Sequence, residues 1–222
     1  MAWRCSGHNN EELINNLQRS RLVKEESAYK AMMEIDRIDF VLPEFQSYAY
    51  EDRPLPIGYE VTISAPHMHA MMLDQMAPYL GPGTTALDIG SGSGYIVACM
   101  AKMCDKAYGI EHIQPLVPRS VNAVKKFISE DKFEICYGDG RLGLPEHAPY
   151  DVIHVGAAAQ PNVVDALMKQ LKPNGLLIIP VECSRGNQVL YAYTFDKDGK
   201  PVQNHVCDVM FVPLTSEPSN IQ

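Results

Sequence analysis

The sequence predicts an α/β fold: a mostly parallel, doubly wound sheet with an antiparallel C-terminal end and a helical N-terminal extension. Three observations predict it. Between residues 84 and 181, short apolar runs alternate with segments of helical periodicity. That is the pattern of parallel strands covered by helices on both faces. The first run ends in a glycine-rich bend, Asp88-Ile89-Gly90-Ser91-Gly92-Ser93-Gly94. After Gly186, two further apolar runs follow with a turn but no helix between them, as in an antiparallel hairpin.

The elements follow in order. Residues 11–21 and 25–37 place Leu13, Ile14 and Leu17, then Tyr29, Met32, Met33 and Ile35, at helical spacing. A proline-bearing loop is expected around Pro43 and Pro54-Leu55-Pro56. Strands are expected at 84–89, 106–110, 133–137, 150–155 and 176–181, with helices at 95–103, 115–129 and 163–171 between them. Residues 172–175, Lys-Pro-Asn-Gly, read as a turn. Residues 189–194 and 206–212 read as the closing strands, separated by a turn at 196–199.

The chain of 222 residues is 46% hydrophobic, enough for one sizeable core, so residues 1–222 are expected to form a single domain with 1–56 packed on it. Its net charge of −8 makes it a poor partner for phosphate backbones or anionic lipid. No nucleic-acid or membrane partner is expected. The six cysteines form no C-x-x-C pair, which argues against zinc and for a reducing compartment. Met1-Ala2-Trp3-Arg4 lacks the apolar run of a signal peptide, and no apolar stretch approaches the roughly 20 residues of a membrane span. The expectation is a cytoplasmic monomer.

In an open parallel sheet, ligands bind at the carboxyl ends of the strands. Three carboxylates gather there. Asp88 precedes the glycine bend, Glu111 ends the second strand, and Asp139 follows the third in Gly138-Asp139-Gly140-Arg141. Glu111 is placed to hold ribose hydroxyls, and Asp139 to accept from an adenine amino group. This charge suits a ligand carrying an ammonium and a sulfonium and no phosphate. A dinucleotide site instead calls for G-x-G-x-x-G spacing and a helix N-terminus free for pyrophosphate. The G-x-G-x-G spacing and Asp88 speak against a nicotinamide dehydrogenase. Each acid alone also reads as a solvated loop or cap residue.

The sequence resembles the protein-L-isoaspartate (D-aspartate) O-methyltransferase family over nearly its whole length. The resemblance is carried by Thr62-Ile63-Ser64-Ala65-Pro66-His67-Met68-His69, by the 86–94 glycine bend, and by Gly109-Ile110-Glu111-His112-Ile113. It continues through Gly138-Asp139-Gly140-Arg141, the 148–159 segment ending His154-Val155-Gly156-Ala157-Ala158-Ala159, the 170–175 segment, and Val212-Pro213-Leu214-Thr215. It implies a Rossmann-like S-adenosylmethionine-dependent methyltransferase fold. It implies methyl transfer from S-adenosylmethionine, leaving S-adenosylhomocysteine, to the free α-carboxylate of L-isoaspartyl residues in proteins and peptides, with D-aspartyl residues as a further acceptor. The ester then cyclises to a succinimide that hydrolyses partly to aspartate. Ser64 matches the active-site serine. Val61, Thr62, Ile63, Ser64, His69, Asp88, Gly90, Gly92, Glu111, His112, Asp139, Gly140 and Thr215 are the implied cofactor contacts. Glu111 stands where animal members usually carry aspartate, and residues 181–186 depart from a more glycine-rich stretch. A relative serving as a non-catalytic adaptor would carry a C-terminal recruiting module, which is not expected in a sequence read only to Gln222, soon after Thr215.

A carboxylate is ionised at pH 7 and needs no general base, so the catalytic task is placement and exclusion of water. Ser64 is expected to position that carboxylate. Its competing reading is the N-cap of the helix that Pro66 opens. His67 and His69, two apart on a helix, do not share a face, so no metal site is expected. Met68, Met71, Met72 and Met76 read as core, and the role of His154 is left open.

Overall fold

The computed structural model describes residues 5–215 of the chain; the N-terminal Met1-Ala2-Trp3-Arg4 and the last seven residues lie outside the described residues. Helix α1 spans Asn10–Arg19. Asn9 caps it by accepting from the Glu12 N–H at 2.8 Å, and Leu13, Ile14 and Leu17 form its buried stripe. Helix α2 spans Glu26–Glu34, shorter than expected, and the chain then winds through two 3-10 turns, Arg37–Phe40 and Pro43–Tyr48.

The 54–56 stretch, expected as loop, opens an antiparallel hairpin: β1 (Leu55–Gly58) against β2 (Val61–Ile63). Prolines are tolerated because both strands lie at an edge, where a missing N–H costs no ladder bond. Gly58, with φ of 88°, leads into the hairpin turn, and Tyr59 and Glu60 complete it with φ of 54° and 58°, a left-handed conformation that non-glycine residues seldom adopt. Helix α3, Pro66–Met76, follows directly.

The main sheet has seven strands: β3 (Thr85–Ile89), β4 (Lys106–Glu111), β5 (Phe133–Tyr137), β6 (Tyr150–Val155), β7 (Leu171–Glu182), β8 (Gln188–Phe195) and β9 (Pro201–Val209). Their order is β5-β4-β3-β6-β7-β8-β9. The pairings among β5, β4, β3, β6 and β7 are parallel; β7–β8 and β8–β9 are antiparallel. Helices α4 (Tyr95–Met103), α5 (Leu116–Val124) and α6 (Pro161–Met168) make the crossovers from β3 to β4, β4 to β5 and β6 to β7, and two 3-10 turns, Gly140–Leu142 and Pro145–His147, lie between β5 and β6. Successive strand residues face opposite layers. Val152 and Ile178 join the core that holds Leu13, Leu17, Met32 and Val97. Ile153 and Leu177 join the core under Val164 and Leu167 of α6.

Further boundaries differ from expectation. Residues 172–175 are not a free turn. They belong to β7 as a bulge, since Tyr150 pairs with Leu171 but Val152 with Leu176. Lys172 ties the bulge to Asp151 at 2.7 Å, and a Cβ on Gly175 would lie 2.8 Å from the Asp151 carbonyl oxygen. The last strand runs Pro201–Val209, so Val212 lies beyond it. Helix α5 ends at Val124, five residues before the expected limit of 129.

Candidate active site

The strand order reverses at β3, which lies between β4 and β6, so the carboxyl ends of these strands open on one crevice. The glycine bend crosses it. Gly90 and Ser91 donate their N–H groups to the Ile110 carbonyl at 2.9 and 3.2 Å, turning the chain back over β4. Gly90 and Gly92 take φ of 71° and 50°, which side-chain-bearing residues rarely do.

Glu111 is 4% exposed at the end of β4. Its Oε2 accepts from the Gly92 N–H at 2.8 Å and its Oε1 from the Ile113 N–H at 2.8 Å. Oε1 also lies 3.2 Å from His112 Nδ1, while Oε2 keeps a lone pair for a ligand. The carboxylate stands in the wall of a cleft of about 480 Å³ that Val61, Thr62, Gly90, Gly92, His112 and Thr215 also line. Ile63, Ser64, His69 and Asp88 line a recess of about 40 Å³ behind the glycine bend. Asp139 and Gly140 line neither space. Asp139 is held by Arg141, through Nε at 3.0 Å and Nη2 at 2.7 Å, and these hydrogen bonds keep its carboxyl below the usual carboxylate range. Gly140 is wedged against Ile89.

Asp88 and His154 are cross-strand neighbours in the β3–β6 register. His154 Nδ1 lies 2.6 Å from Asp88 Oδ1, and its Nε2 lies 3.1 Å from the Met72 sulfur. Burial raises the Asp88 carboxyl; the His154 charge and hydrogen bond pull it back. This partnership gives His154 the place that the sequence left open.

A third space, of about 760 Å³, adjoins the cleft. Thr62, Gly156 and Val212 line both, and Ser64 lines this third space and the recess. Gly156 is the thin point of the partition: it donates to the Ile89 carbonyl at 2.8 Å, and a Cβ there would lie 3.1 Å from the Gly90 oxygen. The Val212–Leu214 segment is pinned alongside by Ala158, which donates to Val212 at 2.8 Å and accepts from Leu214 at 2.7 Å. Sequence reasoning missed Gly156 and Val212 as lining residues, although both fall within segments that carry the resemblance.

The N-cap reading of Ser64 is not observed. Ala65 occupies that position of α3 with no side-chain cap, because Pro66 at the start removes one N–H and shifts the helix on by a residue. Met72 and Met76 are core and Met68 packs against it, while Met68 and Met71 also line the third space, which corrects the reading of Met71 as core. His67 bonds Asp52 at 2.8 Å, while His69 stacks on Tyr95 with ring centroids 4.9 Å apart. Among the described residues, no group of three or more His, Cys, Asp or Glu is placed to hold a metal, and no helix is long and apolar enough to cross a membrane.

The sequence matches the family described as Protein-L-isoaspartate(D-aspartate) O-methyltransferase over residues 8–219. A Protein-L-isoaspartate O-methyltransferase of Caenorhabditis elegans is 47% identical, over 97% of this chain and 96% of its own. Protein-L-isoaspartate O-methyltransferase 1 of Arabidopsis thaliana is 44% identical, over 99% and 97%. The crystal structure of a Plasmodium falciparum protein-L-isoaspartate O-methyltransferase in complex with S-adenosyl-L-homocysteine superposes with a TM-score of 0.83 at 35% identity, covering 95% of this chain and 100% of that one. With the strand order, the glycine bend and the joined spaces, these likenesses establish that the chain belongs to the protein-L-isoaspartate(D-aspartate) O-methyltransferase family.

Proposed function

We propose that this chain transfers a methyl group from S-adenosylmethionine to the free α-carboxylate of isoaspartyl residues in damaged proteins and peptides, initiating their repair through a succinimide. The observation that carries the reading is the shared wall. A cleft bounded by the glycine bend and Glu111 meets a larger space at Thr62, Gly156 and Val212, with Ser64 on the acceptor side.

The residues present fit the cofactor. Glu111 and Asp88 bring negative charge, and among the described residues no lysine or arginine lines the cleft or the recess, which suits a ligand bearing ammonium and sulfonium groups. The buried Ser91 hydroxyl has no partner among the described residues and lines the recess. A Cβ on Gly92 would lie 3.3 Å from Ile57, so glycine there keeps the cleft open. When bound, S-adenosylmethionine supplies an electrophilic methyl group. Glu111, with Val61, Thr62, Gly90, Gly92, His112 and Thr215, would hold it from the cleft, and Ile63, His69 and Asp88 from the recess. Asp139 and Gly140 are assigned to the adenine end at its margin.

Ser64 is assigned to orient the acceptor carboxylate by donating a hydrogen bond. No base is required, since a carboxylate with a pKa of about 4 is ionised at pH 7. Apolar Met68, Met71, Val209 and Phe211 shed water from that space, which strengthens the serine's hydrogen bond and bares the nucleophile. A space of about 760 Å³ holds the isoaspartyl residue with its neighbours. The reading treats residues 1–222 as one methyltransferase domain acting as a cytoplasmic monomer, with no nucleic-acid or membrane partner. Labelled S-adenosylmethionine and two peptides differing only in isoaspartyl or aspartyl linkage test it. A base-labile ester on the isoaspartyl peptide alone is expected; equal labelling of both, or none, refutes the reading.

A further inference from the structure

An acidic protein that binds an anionic acceptor faces an electrostatic problem. The net charge is −8, Asp208 lines the acceptor space, and Glu60 and Glu111 line the adjoining cleft. All of these repel a carboxylate nucleophile. Behind Ser64 lies a cation that neither composition nor motif announces.

Arg37 opens the 3-10 turn after α2 and is 1% exposed. Its Nη2 donates to the Ser64 carbonyl at 2.8 Å and to the Arg53 carbonyl at 3.4 Å; its Nε donates to the Ala49 carbonyl at 3.1 Å. Its Nη1 lies 3.4 Å from His69 Nδ1. A guanidinium only donates, so Nδ1 is the acceptor and the His69 proton sits on Nε2. All these partners are neutral, and no carboxylate among the described residues is bonded to Arg37. Asp52, whose charge it feels, is bonded to His67 instead. Burial lowers Arg37 only to about 10, so it is charged at pH 7. A buried charge held by carbonyl dipoles and an imidazole, with no carboxylate hydrogen-bonded to it, projects part of its field into adjoining low-dielectric space.

Building on the proposed methyl transfer, we propose that Arg37 is a positioning residue of the acceptor site: it fixes the Ser64 main chain, and its charge, which no hydrogen-bonded carboxylate cancels, selects an ionised carboxylate over a neutral acceptor.

The test compares an isoaspartyl peptide with the same peptide carrying a carboxamide in place of the free α-carboxylate. Wild type is expected to have a KM for the first at least tenfold below the inhibition constant of the second. Arg37→Met, with fold checked by circular dichroism, is expected to lose that preference through a raised KM, with carboxamide inhibition and S-adenosylmethionine affinity within about twofold. Arg37→Lys, which keeps the charge but not the fork, is expected to keep the preference and lose turnover. If Arg37→Met does not fold, Arg37→Lys decides: a lost preference overturns the proposal. Parallel loss for both peptides and the cofactor would mark a merely structural arginine and overturn it, as would an unchanged preference in folded Arg37→Met. If wild type methylates no isoaspartyl peptide, it is the function that fails; methylation without carboxylate preference refutes the role of Arg37 alone.

Discussion

The Gly92 N–H and the Glu111 carboxylate are joined at 2.8 Å, so the glycine bend and the end of β4 form one rigid corner. The second oxygen of Glu111 is engaged by Ile113 at 2.8 Å, which leaves the acid a single orientation. Glu111→Gln places an amide NH₂ against one of two backbone donors. An unpaired buried donor costs about 1–3 kcal/mol. The S-adenosylmethionine dissociation constant is expected to rise at least tenfold, about 1.4 kcal/mol, by titration calorimetry. A value within twofold of wild type would remove Glu111 from the cofactor site.

Ser64 separates two roles cleanly because the structure denies it the cap. Removing an N-cap serine costs about 1 kcal/mol, whereas removing a hydroxyl that only lines a cavity costs under about 0.5 kcal/mol. Ser64→Ala is therefore expected to melt almost as wild type and to bind cofactor within twofold. Its turnover is expected to fall about a hundredfold, the scale of a misplaced nucleophile. Collapse of cofactor binding would show that Ser64 serves the donor and not the acceptor.

Gly140 is required first by packing. A Cβ there would lie 2.5 Å from Ile89 Cγ2 and 3.6 Å from Leu214 Cδ1. Ile89 is the last residue of β3 and cannot retreat without moving the strand. Gly140→Ala is expected to lose about 1–3 kcal/mol in urea denaturation, the usual cost of overpacking. A larger effect on cofactor affinity than on stability would show that Gly140 is required first as a cofactor contact and not by packing.

The buried strands were legible because apolar runs of five or six residues, bounded by turn residues, have one economical reading. Phe133–Tyr137 and Tyr150–Val155 coincide with their expected limits. The β1–β2 hairpin was not legible, since prolines at 54 and 56 mimic a loop and the turn after Gly58 places Tyr59 and Glu60 in the left-handed conformation. At the site, Asp88 and Glu111 could be chosen from their positions at strand ends. Their partners could not. His154 meets Asp88 only through the β3–β6 register, 66 residues away in sequence, and Arg37 reaches Ser64 across a two-turn excursion. Local patterns carry strand positions; side-chain partnerships across the sheet depend on register, which a single sequence does not display.

His69 makes acid sensitivity measurable. Burial, then the charges of Arg37, His154 and His67, hold its imidazole well below the ordinary value, and the Tyr95 ring stacked on it keeps water away. In the unfolded chain it titrates near 6.5. Below that pH the unfolded state takes up a proton that the folded state refuses, so stability falls by about 1.4 kcal/mol per pH unit from this group. The loss continues down to the depressed folded value and is absent above about pH 7. Asp88 acts with the opposite sign: its carboxyl is raised by burial, so the folded state takes up that proton first and recovers some stability at lower pH. His69→Gln keeps an acceptor for Arg37 but removes the titration. Urea denaturation at pH 7.5, 6.5 and 5.5 is expected to show the wild type weakening between the last two, with the variant's slope flatter by about 1 kcal/mol per unit. Equal slopes in both proteins would place the acid-sensitive group elsewhere.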